Sequence, residues 1–346
     1  MRKASFILII LYCLVGCQSQ PATAVPETAV SEPASTAIPT PIVGPSGRLI
    51  FIEVDVGSQY ISEYDLQSKT VRRLFTAPEN GWVSQIDILT DSEQLLMAYA
   101  SPPPDGEIQF GYTDIYLTAP DETAVPTFLI QREQPEGLVF NPVWSPEQQY
   151  VYYSRVTPNS EDSAQFKLFL ERYEVESGES IQIAPEGIWP AVSPANDKIS
   201  YVTVDPQSLG NALWLANPDG GEARQLVPEG EFEVVDVPLF SPDGEWVYFT
   251  AAENRETAVS WWHRLVGVKT ASAHNIPSDW YRISAAGGDY EQLTAILETG
   301  IYGDFSPDGQ LIAFATFNGL YLMKPDGSEL EKILDIGATT SLSWVR

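Results

Sequence analysis

The chain has 346 residues, with 19 basic against 47 acidic side chains and a formal net charge of −28. So acidic a surface offers no basic face to a phosphate backbone, which argues against nucleic acid as a partner, and it repels anionic lipid headgroups. Of the two cysteines, Cys13 lies inside an N-terminal apolar run, so no framework of internal disulfides is expected.

Residues 1–16 read as an export signal. Arg2 and Lys3 supply the positive start, and residues 6–15 form an apolar run too short to span a bilayer as a helix. The run ends in Leu14-Val15-Gly16-Cys17, which resembles the lipobox of bacterial lipoproteins. That resemblance implies that Cys17 becomes the first mature residue and carries the lipid. The alternative is an ordinary cleaved signal with an incidental Cys. Cysteine usage argues against it, because cleavage before Cys17 leaves a single thiol.

Residues 17–46 then form a tether. Pro21, Pro26, Pro33, Pro39, Pro41 and Pro45 are spaced among Ala, Thr and Ser, with no large aromatic to bury. Such a stretch cannot offset its ordering entropy. At roughly 3.1 Å per residue in polyproline form it would reach about 90 Å.

From residue 47 onward the chain repeats. Residues 47–54 look like a strand that has lost its predecessor, followed by a strand over 61–66, the turn Gln67-Ser68-Lys69-Thr70 and another short strand. A Ser-Pro turn between an apolar strand and its successor then recurs at intervals of about 50 residues. A faint copy is Leu89-Thr90-Asp91-Ser92, with Thr90 in the place of Ser. Eroded copies follow at Ser145-Pro146 and Ser193-Pro194, and full ones at Ser241-Pro242-Asp243-Gly244 and Ser306-Pro307-Asp308-Gly309. Pro218-Asp219-Gly220-Gly221, Ala285-Ala286-Gly287-Gly288 and Pro325-Asp326-Gly327 mark a second hairpin in each later repeat. Ser341-Leu342-Ser343-Trp344 looks like a first strand with no second, Trp344 standing where Trp144 stands.

These signals predict an all-β, six-bladed β-propeller over 47–346, with four antiparallel strands per blade. One blade is assembled from both ends, so that pairing of N- and C-terminal strands closes the ring and removes its open edges. The recurrent Ser is expected to hydrogen-bond local backbone, and so to be structural and not a nucleophile. The repeat resembles the WD40-like propeller repeat of the TolB family, which implies a six-bladed domain working in a bacterial envelope. Similar repeats form the propeller of prolyl oligopeptidases, whose triad lies in a separate hydrolase domain that 47–346 has no room for.

In this scheme the longer loops, 101–113, 157–165, 205–210 and 253–279, all join the second and third strands of a blade and share one face. The last carries Trp261, Trp262, His263, Arg264 and His274, the chain's two histidines among them. Read as a helix, it places Ala258, Trp262, Leu265 and Val266 on one side. It is a cap over the propeller mouth, an aromatic contact element for a partner or ligand, or, least in keeping with its residues, a catalytic element.

The two histidines lack the spacing of a zinc pair, and there is no Gly-x-Ser-x-Gly elbow, phosphate loop or calcium loop. No metal and no cofactor are therefore expected. A carboxylate pair could hide near the inner strands, at Asp87, Asp236 and Asp304. The reading is a monomeric, lipid-anchored, extracytoplasmic binding or assembly module. It would meet an envelope protein or small ligand on the long-loop face and touch the membrane only through its lipid. The alternative is a propeller enzyme of the lyase or glycan-processing kind, using carboxylates or a histidine at the axial mouth. Convergent ionisable groups in a deep axial pocket would favour the enzyme.

Overall fold

The computed structural model describes residues 45–55, 58–89, 92, 94–103, 112–135, 137–158, 166–205, 208, 210–253 and 276–346. They form six four-stranded antiparallel sheets in a ring, with no helix among the described residues. Five blades are continuous in sequence. Their innermost strands are Trp82–Ile88, Leu138–Trp144, Gly187–Val192, Val234–Phe240 and Tyr302–Phe305, in blades 2 to 6. Blade 1 takes its innermost strand, Ala338–Val345, from the far end of the chain and its other three, Arg48–Asp55, Ser58–Asp65 and Thr70–Thr76, from residues 48–76.

That closure is built in detail. Arg48 pairs with Val345 and Leu49 with Trp344. The Trp344 indole donates to the Ser46 carbonyl at 3.1 Å, and the Arg48 guanidinium holds the Arg346 carbonyl at 2.9 Å. Gly47, at φ +100°, passes so close that an added Cβ would stand 2.5 Å from the Val345 carbonyl. Only glycine fits there.

In every blade the outermost strand is the most exposed. Second strands such as Leu95–Ala100 and Ile312–Thr316 are buried along their whole length, because neighbouring blades pack on both faces. Outer strands such as Ser180–Pro185 expose most of their side chains. The core accordingly lies between blades: Ile50, Ile52 and Ile61 of blade 1 interlock with Val83, Ile86 and Met97 of blade 2.

Each turn serine has one geometry. The Oγ atoms of Ser145, Ser193, Ser241 and Ser306 accept the backbone N–H five residues on, from Tyr150, Lys198, Trp246 and Leu311, at 2.9–3.0 Å. Their carbonyls accept from the residue three on. In blade 2 the equivalent carbonyl is that of Leu89, bonded by Ser92 N–H at 2.9 Å. Leu89, not Thr90, therefore stands in the place of Ser, which shifts that repeat by one residue from its reading in the sequence.

Three consecutive inner strands also carry the same irregularity. Asn141, Trp189 and Val237 have φ of 51°, 53° and 45°, and pairing with the second strand slips at each. The residue that follows is Pro142, Pro190 or Pro238. A proline has no N–H for the ladder, so a bulge places it where none is required.

Candidate functional site

The six inner strands enclose an axial cavity of about 430 Å³. Two rings of side chains line it, set by fixed offsets from the turn position. Four residues before the turn stand Gln85, Asn141, Trp189, Val237, Tyr302 and Ser341. Two before it stand Asp87, Val143, Ala191, Leu239, Asp304 and Ser343. At one end the cavity reaches Pro146, Pro194, Pro242 and Pro307 of the Ser-Pro turns.

The rings are not chemically uniform. Blades 6, 1 and 2 contribute Asp304, Ser341, Ser343, Gln85 and Asp87, a polar arc that Asn141 extends into blade 3. Blades 4 and 5 contribute Trp189, Pro190, Ala191, Val237, Pro238 and Leu239, an apolar arc. No Lys, Arg or His is among the described lining residues.

The polar arc also fastens one blade to the next. Asp304 accepts the Trp344 backbone N–H at 2.8 Å, Ser341 Oγ accepts that of Ile86 at 3.1 Å, and Asp87 accepts that of Trp144 at 2.7 Å. Three successive blade junctions are thus bridged by side chains that face the cavity. A fourth, between blades 4 and 5, is bridged by the Trp189 indole donating to Asp236.

Burial dominates the titration of these acids. It pushes Asp87 up to about 7; the Asp304 charge adds to the rise, and the amides of Trp144 and Ile88 oppose it. Burial lifts Asp304 to about 6 against the amides of Trp344 and Phe305. Asp236 lies behind the wall at Val237 and is raised well above the ordinary carboxylate range by the same cause. One of its oxygens has no partner. Tyr302 is raised by burial and then by the Asp236 charge. Asp87 and Asp304 are deep in the fold yet partly accessible through the cavity.

The three aspartates singled out in the sequence thus fall at the axis, two in the cavity wall and one behind it. The long loops do join second to third strands in blades 2 to 5. Trp261, Trp262, His263, Arg264 and His274, like Cys17, lie outside the described residues. Gln85, Asn141, Trp189, Tyr302, Ser341 and Ser343 escaped the sequence reading. A signal existed for three of them, since Asn141, Trp189 and Tyr302 each stand four residues before a Ser-Pro turn already recognised, whereas the turn after Gln85 was read one residue out of register and no Ser-Pro turn follows Ser341 and Ser343. No group of three His, Cys, Asp or Glu side chains among the described residues could hold a metal ion.

No protein-family model matches the chain. It is 28% identical over 141 residues to the uncharacterized protein YidR of Escherichia coli K12, covering 40% of this chain and 28% of that one. It is 30% identical over 118 residues to the uncharacterized protein Atu1656 of Agrobacterium fabrum, covering 32% and 39%. The matches thus span 28% and 39% of the curated relatives' own lengths. Among solved structures, TolB from Acinetobacter baumannii superposes with a TM-score of 0.59 at 12% identity, over 87% of this chain and 67% of that one. Putative TolB from Agrobacterium tumefaciens does so with a TM-score of 0.56 at 16% identity, over 87% and 98%. Hydrazine synthase from Kuenenia stuttgartiensis gives 0.60 at 12% identity, over 87% and 47%. At these identities the likeness is one of fold: a six-bladed β-propeller with TolB-like propellers among its structural neighbours.

Proposed function

We propose that this domain is an extracytoplasmic, non-catalytic binding module of the cell envelope, held to a membrane through Cys17, that seats its ligand in the axial cavity. The observation that carries the reading is the cavity itself. Rigid inner strands form its walls, its polar and apolar arcs face one another, and its size falls within the roughly 300–1,000 Å³ usual for ligand sites. The export signal read in residues 1–16 and the TolB-like fold support the location. The 253–279 insertion, with Trp261 and Trp262, would be a second contact element, suited to a protein partner.

A second reading draws on Asp87. A carboxyl held near 7 in a cavity is suited to proton transfer, as a lyase or a glycan-processing enzyme requires. Against it, Asp87 and Asp304 each already accept two backbone amides, and no basic side chain is among the described lining residues.

The test is native mass spectrometry of the full chain purified from its own envelope, beside Val143→Trp. Val143 is partly exposed to the cavity, so the larger side chain fills the space while sparing the core. A retained small mass that the folded variant loses supports the reading. Equal retention by both would remove the cavity from it, and turnover of an offered polysaccharide lost in Asp87→Asn would favour the enzyme.

A further inference from the structure

We propose that the axial cavity selects amines: a ligand whose cationic nitrogen lies on the polar arc between Asp87 and Asp304 and whose apolar body lies on the Trp189–Val237 arc. This rests on the cavity being the binding site, and it adds the chemical class of the occupant.

Three observations converge. Two carboxylates enter one cavity from blades 2 and 6, and no basic side chain among the described residues lines it to neutralise them. Their backbone amide bonds leave further acceptor lone pairs, which an ammonium group can use. The opposite arc offers an indole, two prolines, Val237 and Leu239, which can bury an apolar body but make no hydrogen bond to a second charge. Between them stands Asn141, only 3% exposed, whose side-chain amide nitrogen has no hydrogen-bond partner. A buried donor of this kind calls for an acceptor. The amine should therefore also carry a hydroxyl or carbonyl oxygen. An anion would meet two acids and nothing to balance it, and the field of a −28 chain gathers cations in an acidic cleft.

Titration gives this proposal a second, independent readout. The acids facing the cavity are Asp87 and Asp304, with Asp236 and Tyr302 behind or across from them. Burial raises Asp87 to about 7 and Asp304 to about 6, so acidification protonates them in turn, and those protons compete with the bound cation. An alkylamine stays charged throughout this range, so any loss of affinity reports on the protein.

The test uses calorimetry of the full chain with three near-isosteric probes: tyramine, the neutral alcohol tyrosol and the anion 4-hydroxyphenylacetate. At pH 8 tyramine should bind at least tenfold more tightly than tyrosol, with the anion weakest. Asp87→Asn and Asp304→Asn, which keep an acceptor oxygen for the neighbouring blade, should each remove about tenfold of tyramine affinity and leave tyrosol within about twofold. Moving the wild type to pH 5 should weaken tyramine in the same way. Tyrosol binding as well as tyramine would overturn the amine proposal while leaving the cavity a binding site. So would failure of all three probes in a protein that retains an envelope-derived mass. Failure of the probes with no retained mass would end both readings. Should the Asn variants not fold, the isostere series and the pH series on wild type still decide.

Discussion

Asp87 and Asp304 bind the neighbouring blade's backbone and face the cavity at once, and that double position fixes how they respond to pH. Their folded values, about 7 and about 6, lie above the ordinary 3.8. The native chain therefore holds these protons more tightly than the unfolded chain. The resulting stabilisation is complete below the ordinary value and is lost as pH rises through 6 to 7. Each pH unit between the ordinary and folded values corresponds to about 1.4 kcal/mol. Asp87→Asn should accordingly melt with wild type at about pH 4 and above it at pH 8, as thermal unfolding monitored by circular dichroism would show. A variant that melts below wild type at pH 8 would mean that the carboxylate's bond to Trp144 outweighs its burial. These aspartates were legible because a carboxylate near an inner strand of a propeller invites inspection. Gln85, Asn141 and Ser341 were not, since an amide or a hydroxyl on a strand carries no chemistry until its neighbours are known.

At the scale of the element, the Ser-Pro turn was legible in full and the bulge before it was not. The turn announces itself by repetition, and four serines close it by accepting the backbone N–H five residues on. Ser306→Ala should leave the Leu311 amide without that acceptor and cost about 1 kcal/mol in urea unfolding. Ser193→Ala and Ser241→Ala, whose hydroxyls donate to Asp197 and Asp243 as that of Ser306 does to Asp308, should match it to within a few tenths, and Ser145→Ala should cost no more. A Ser306→Ala chain as stable as wild type would mean that the carbonyl bond alone closes the turn. Pro142, Pro190 and Pro238 were equally visible in the sequence, but their reason is a ladder position that needs no N–H, and that appears only once strand pairing is known. The one-residue slip at Leu89 has the same origin. With no serine to mark the turn, only its backbone hydrogen bonds identify its first residue.

At the scale of the whole molecule, ring closure was legible because one end supplied three strands and the other the fourth strand of a blade whose form the other five had taught. Trp344 is 1% exposed at that junction, so Trp344→Ala should cost about 3–5 kcal/mol, and deletion of residues 340–346 should lower the melting temperature further. A truncated chain melting with wild type would contradict closure by both ends. The cavity was harder to see. Loop length pointed to the long-loop face, whereas the cavity wall is dispersed over six segments, none of which forms a motif by itself. The same dispersal has a temporal side. Arg48 waits for a carbonyl 298 positions later in the chain. As synthesis proceeds, blades 2 to 6 can each zip up from their own hairpins, while blade 1 stands incomplete. Ser341 and Ser343, and the Trp344 amide that anchors Asp304, arrive with the last strand. A chain that lacks this strand would thus have a breached cavity wall between blades 6 and 2.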